Sequence, residues 1–252
     1  KGLVNKCFSP ELGKNFSMPS SPEHRKRLRV WKTILFVIDN IDETIAKSVD
    51  RELWNIMLIQ SNVNVRRLFE CFTIVMARKF PHAFNSLANQ IKRYGEKQQF
   101  VISTILIAAN LIVSFDKVGQ PDVYGKEACE REEAQLQKAL DTFFPYIKMY
   151  MSSHSNTIKL AAQTTFDIIY RYLKKHAQHI IDKQGEQWQR ELEDFNKYVC
   201  DNDSVRSKVS KFRADLTFNI HTLCKPDVIW GSIEWEGDQA VDDFIPLHFF
   251  DD

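Results

Sequence analysis

The densest cluster of chemically capable side chains is His24-Arg25-Lys26-Arg27-Leu28-Arg29. Four cations in five residues can neutralise phosphates and release their counterions, which is the chemistry of nucleic-acid contact. They sit where a helix should begin, and cations there oppose the helix dipole. An ordinary solvated helix face is the competing reading. A second basic set is Arg206, Lys208, Lys211 and Arg213. It gains Arg171, Lys174 and Lys175 if the two helices carrying them stack side by side. Here a solvated face is the stronger reading.

Other constellations are weaker. His176 and His179, with Asp182 nearby, have a spacing that could hold zinc. No fourth ligand and no H-E-x-x-H pattern accompany them, so solvated helix-end histidines are the favoured reading and no metal site is assigned. Glu127, Glu130, Glu132 and Glu133, and also Asp242 and Asp243, are acidic clusters. Paired carboxylates can do acid–base work. Mixed with Lys126, Arg131 and Lys138, the first cluster reads as a solvated helix face. No G-x-S-x-G, P-loop or G-x-G-x-x-G occurs. No two of the eight glycines lie within five residues of each other, which argues against a glycine-built phosphate cradle. No catalytic residue and no cofactor is therefore assigned to this chain.

The elements that position these residues are helices. Gly and Pro number only eight each in 252 residues, so turns are few and elements long. Ser20 or Ser21 can cap a first helix, with Pro22 in its first turn and Leu28, Trp31, Leu35 and Ile38 at helical spacing. Asp42 can cap a second, with Ile45, Val49, Leu53 and Ile56 on one face. Ser61 or Asn62 starts a third, with Val65, Leu68, Phe69, Phe72 and Val75 inward, ended by Pro81. Ala83, Phe84, Leu87 and Ile91 mark a fourth, closed by Gly95 as its C′ residue. The uncharged run Gln98–Phe115 is barely of spanning length and holds Ser103, Thr104 and Asn110, so a buried helix is preferred to a membrane span.

Asp116–Lys126 is a loop by its Gly119, Pro121 and Gly125. A charged helix follows over about 127–143, stopped by Pro145. Further helices are expected over 156–176, 185–200 and 204–224. The tail after Pro226 suggests one more short helix, interrupted by Gly237 and Pro246. No segment alternates with period two, so the fold class is all-α. Helix pairs starting near 22, 62 and 97 repeat every ~35–40 residues, the range of HEAT and armadillo repeats. The domain reading is an extension over 1–20, a first helical-repeat half over 21–116, a loop over 117–126, a second half over 127–236 and a tail over 237–252.

The formal net charge of +1 gives no general pull toward polyanions, so any such case rests on the local clusters. Cys7, Cys71, Cys129, Cys200 and Cys224 are odd in number and widely spaced. Buried free thiols in a reducing, intracellular compartment, cytoplasmic or nuclear, explain them best. The start on Lys1 reads as a fragment or a processed chain, and Lys1–Ser21 lacks the apolar stretch of a signal peptide.

The stretch His24-Arg25-Lys26-Arg27-Leu28-Arg29-Val30-Trp31-Lys32-Thr33-Ile34-Leu35 resembles the helical region of eukaryotic SPOUT-class tRNA guanosine 2′-O-ribose methyltransferases, the TAR-RNA-binding-protein-like group. That region reads H-R-x-K-x-R-x-W-Q-T-L-L, and Lys32 stands where the family has Gln. Val65-Arg66-Arg67-Leu68-Phe69-Glu70 through Lys79-Phe80-Pro81 looks like the next repeat. Asn156-Thr157-Ile158-Lys159-Leu160-Ala161 looks like the repeat helix before the catalytic domain. The three patches fall in the family's order and cover about 24–230 patchily. The match weakens after Pro226. The resemblance implies a HEAT-like array that holds tRNA for a C-terminal knotted methyltransferase domain. The parallel sheet, N-x-G-G-x-x-R-like motif and glycine-rich cofactor loops of that domain do not occur before Asp252. No S-adenosylmethionine site or catalytic residue carries over. The expected partner is RNA, tRNA first, with Arg25, Lys26, Arg27, Arg29, Arg206, Lys208, Lys211 and Arg213 as contacts. A helical scaffold that binds protein through an inter-helix groove is the alternative, and no membrane is expected.

Overall fold

The computed structural model describes residues 22–59, 63–93, 95–182 and 186–217, and these are all-α. The helices are α1 (Pro22–Phe36), α2 (Glu43–Ile59), α3 (Val63–Lys79), α4 (Pro81–Gln90), α5 (Gln98–Val113), α6 (Lys126–Tyr150), α7 (Asn156–His176), α8 (Gln187–Cys200) and α9 (Asp203–Thr217). Single helical turns lie at Ile38–Asn40, Pro121–Tyr124 and Gln178–Asp182. Ser20, Ser21, Ser61, Asn62, the continuation of α9 over 218–224 and the tail to Asp252 lie outside the described residues. The described residues divide into two compact units, one over 22–89 and the other over 90–217.

In the first unit α3 packs against both α1 and α2. Trp31 is 1% exposed and meets the ring of Phe69 edge-on at 4.2 Å and that of Phe72 at 6.3 Å. Burial of such rings dominates core energetics, and the edge-on geometry adds to it. Asp42 caps α2 as its position suggests, accepting from the Ile45 amide at 2.8 Å. Ile45 itself is 44% exposed, however, and the buried stripe of α2 runs through Ala46, Val49, Leu53, Trp54 and Met57. The helical phase that buries Trp54 turns Ile45 outward. The ammonium of Lys79 donates to the Asp39 and Ile41 carbonyls at 2.7 and 3.0 Å, tying the end of α3 to the loop between α1 and α2.

Pro81 both ends one helix and opens the next, since at N1 its missing N–H costs nothing. Gly95 is not the C′ residue of α4. That helix ends at Gln90, closed by the Arg93 amide donating to the Gln90 carbonyl, and Gly95 has no positive φ.

Between α2 and α4 lies a polar contact the sequence did not announce. Ser86 Oγ donates to Asp50 Oδ2 at 2.6 Å, and Trp54 Nε1 lies 2.9 Å from Ser86 Oγ and 3.2 Å from Asp50 Oδ1. Burial raises the Asp50 carboxyl above its usual value, against the opposing pull of the Ser86 and Trp54 donors and of His82. A raised carboxyl holds its proton more tightly folded than unfolded. Its stabilising contribution is therefore present in acid and lost as pH rises through the folded value. Asp50→Asn is expected to match or exceed the wild-type melting temperature at pH 7. That advantage should shrink as pH falls through the carboxylate range, which paired thermal melts would read.

In the second unit α5 is the central helix. It packs against α6, α7 and α9, and every residue from Phe100 to Ile112 is buried. Its interior polar groups turn back on their own helix, Thr104 Oγ1 to the Val101 carbonyl and Asn110 Nδ2 to that of Leu106. No described helix is long and apolar enough to cross a membrane. Phe144, Phe166 and Trp188 form one aromatic group joining α6, α7 and α8.

Pro145 does not stop α6, which runs on to Tyr150. The proline is exposed, as is Asp141, whose carbonyl it cannot serve. Phe143, Phe144, Ile147 and Tyr150 stay buried on both sides of it. The packing outweighs the lost bond.

The loop 117–126 lies inside the second unit, and the boundary between units falls at Asn89/Gln90 instead. Three bonds fasten the loop. Tyr172 Oη donates to the Phe115 carbonyl at 2.6 Å, the Lys117 amide to Glu132 Oε2 at 3.0 Å, and Cys129 Sγ to the Lys117 carbonyl at 3.0 Å. Gly119 has φ +75°, and a Cβ there would lie 2.4 Å from the His176 carbonyl oxygen. A side chain would meet both the left-handed penalty and a backbone clash. Gly119→Ala is expected to destabilise by about 2–4 kcal/mol, measured by denaturant unfolding.

Candidate nucleic-acid interface

Helix α1 presents the first basic set because its other face is committed to the core. Leu28, Trp31 and Leu35 are buried, while Arg25 and Arg29, one turn apart, are exposed on the same side. The side chains of His24, Lys26 and Arg27 lie outside the described residues. Lys32 is 2% exposed and so belongs to the interior, not to this face. The Thr33 hydroxyl donates to the Arg29 carbonyl at 2.9 Å.

Further cations stand on α3. Arg66 Nε lies 3.7 Å from Glu70 Oε1, both largely buried. Burial, with repulsion from Arg66, pushes the Arg67 guanidinium down to about 10, against the attraction of Glu70. Arg66 and Arg67 stand side by side, and at neutral pH Arg67 remains charged. They are half-buried and engaged with Glu70, and a phosphate would have to compete with it.

The second basic set divides. Arg206 joins α8 to α9, with Nη2 donating to the Cys200 carbonyl at 2.7 Å and Nη1 3.3 Å from Asp203 Oδ1. It satisfies an orphan carbonyl at the end of α8, a structural task. Lys208 is exposed, and the side chains of Lys211 and Arg213 lie outside the described residues. Helices α7 and α9 do pack side by side. Arg171, Lys174 and Lys175 are all exposed on α7. The two basic sets belong to different compact units. Arg206→Ala is expected to cost about 0.5–1 kcal/mol in denaturant unfolding, with RNA affinity within about twofold of wild type.

No protein family matches this chain, and no curated protein or solved structure is significantly similar to it. Its chemistry must be read from its own residues.

The three candidate zinc ligands are each engaged elsewhere. His176 stacks on Tyr172 at 5.0 Å, His179 Nε2 lies 2.6 Å from Glu133 Oε1, and Asp182 Oδ1 accepts from Gln178 at 2.8 Å. Burial, then the charge of Lys175, lowers the His176 imidazole below its usual value. Among the described residues no group of three or more His, Cys, Asp or Glu could hold a metal ion.

The acidic face of α6 is largely paired, Glu127 with Arg131, Glu130 with Lys126 and Glu133 with His179. Glu132 is the exception to a solvated face, since it is buried and holds the Lys117 amide. Cys71 and Cys129 are buried free thiols, but Cys200 is exposed at the end of α8. Cys7 and Cys224 lie outside the described residues, as do Asp242 and Asp243. The Asp50–Ser86 contact is no nucleophile relay. The Ser86 proton is committed to a carboxylate, and neither His82 ring nitrogen has a hydrogen-bond partner.

Proposed function

We propose that this chain is a non-catalytic helical-repeat domain of the HEAT/armadillo-like kind. In this reading it binds and positions RNA, tRNA first, for a 2′-O-ribose methyltransferase. The observation that carries the reading is the exposed pair Arg25 and Arg29 on α1, inside a run of four cations whose helix is anchored by Trp31. Phosphate contacts from such a helix fix the position of an RNA without reading its sequence. The repeat reading is supported by helices starting at Pro22, Val63 and Gln98, spacings of the HEAT class. The test is photo-crosslinking of the chain to tRNA with mapping of the linked peptides. Crosslinks concentrated in residues 22–32 support the reading, and crosslinks that avoid α1 overturn it.

One observation favours a protein-binding scaffold as the alternative. Val123 and Tyr124 are 69% and 44% exposed on the fastened loop between α5 and α6, an apolar knuckle open to a partner. Pull-down with and without Val123→Ser and Tyr124→Ser separates this reading, since those changes should leave RNA binding intact.

A further inference from the structure

Charge is divided unevenly along this chain. Residues 226–252 hold eight Asp or Glu and no Lys or Arg. The whole chain has a formal net charge of +1, so residues 1–225 carry +9. The acidic segment lies outside the described residues, and the described helices differ in what they can offer it. On several of them the cations are interleaved with carboxylates. Lys47 lies near Glu43, Lys126 near Glu130, Arg131 near Glu127 and Arg190 near Glu186, each one turn along the same helix. Helix α1 is different. From His24 to Ile38 no acidic residue occurs, and Arg25, Lys26, Arg27 and Arg29 are four cations in five residues. Arg25 and Arg29 are exposed one turn apart, while Leu28, Trp31 and Leu35 are buried in the core. The run begins in the first turn of α1, where the helix dipole is itself positive, so both fields favour an anion there. The basic stretch 205–214 is also free of acid, but it is more dilute, and its Arg206 is held at a helix joint by the Cys200 carbonyl and Asp203.

We propose that residues 226–252 dock on this basic face of α1, as an acidic segment of the same chain. The segment suits arginine in particular, because Trp230, Trp235, Phe244, Phe249 and Phe250 are interleaved with its carboxylates. Guanidinium groups both pair with carboxylates and stack on aromatic rings. The 35 residues from 218 to 252 span up to about 120 Å when extended, so the contact calls for no particular arrangement of the two units. The contact does not depend on the RNA reading above. Where RNA also uses α1, the segment competes with it for the same charges.

The test is zero-length carbodiimide crosslinking of the full chain, which joins a lysine amine to a carboxylate in contact with it, with the linked peptides mapped by mass spectrometry. In the monomer, links from residues 226–252 should concentrate on Lys26. Their yield should fall at least ~5-fold between about 0.01 and 1 M salt, as the Debye length shrinks from about 30 to about 3 Å. Arg25→Gln with Arg27→Gln and Arg29→Gln keeps the reporting amine and should lose most of the Lys26 links. The same three positions changed to Lys should retain links across 25–29. Thermal melts show whether each variant is folded, and the wild-type map and salt series decide the outcome even if one is not. Links spread over the exposed lysines, or gathered on Lys174, Lys175 or Lys208, overturn the proposal. So do links found only in crosslinked dimers, which assign the segment to a second copy, and Lys26 links that persist unchanged in a folded Gln variant.

Discussion

Reversal of Arg25, Lys26, Arg27 and Arg29 to Glu is expected to lower tRNA affinity at least ~100-fold near 0.1 M salt. Four lost phosphate contacts remove about 3 from the salt slope, and four new negative charges repel the backbone in addition. The protein should remain folded, because Arg25 and Arg29 are exposed and the face that secures α1 is the opposite one, through Leu28, Trp31 and Leu35. Fluorescence anisotropy with labelled tRNA, beside a thermal melt, measures both quantities. An intact melt with lost binding assigns the effect to charge. Unchanged affinity removes α1 from the interface.

Trp31→Ala is expected to destabilise the first unit by about 3–5 kcal/mol. The indole is 1% exposed and packs α1 on α3, edge-on to Phe69 and Phe72. Denaturant unfolding should show a lower midpoint. Trp31→Phe, which retains an aromatic edge, should recover much of the loss. RNA affinity should fall in the Ala variant as well, because α1 would no longer be held to α3. A Trp31→Ala variant with wild-type stability would mean that α1 is secured by other contacts.

Helical phase was the most legible property. Leu28, Trp31, Leu35 and Ile38 are spaced as one stripe and are buried as one, and the same holds for Trp188, Leu192, Phe195 and Val199. The Asp42 cap was legible because a short carboxylate before an apolar run has one common task. Pro145 and Gly95 misled because local propensity is a weak prior. Tertiary burial of Phe143 and Ile147 carries α6 through the proline. Gly95 follows the end of α4 too late to close it.

For the candidate site, the sequence located the charges but not their occupations. Arg206 and Lys208 look alike two residues apart and both are exposed, yet Arg206 is fastened to the Cys200 carbonyl and Asp203. Glu132 reads like its neighbours, but one step of helical phase buries it against the loop. The Asp50–Ser86 contact spans 36 residues and leaves no local pattern to find.

The most direct test of the central claim is the affinity of this chain for tRNA as a function of salt. An RNA-positioning domain that uses α1 should bind at low salt and lose affinity with a slope of about −3 or steeper. The same measurement with no binding at 50 mM salt, or with a slope near zero, would contradict it.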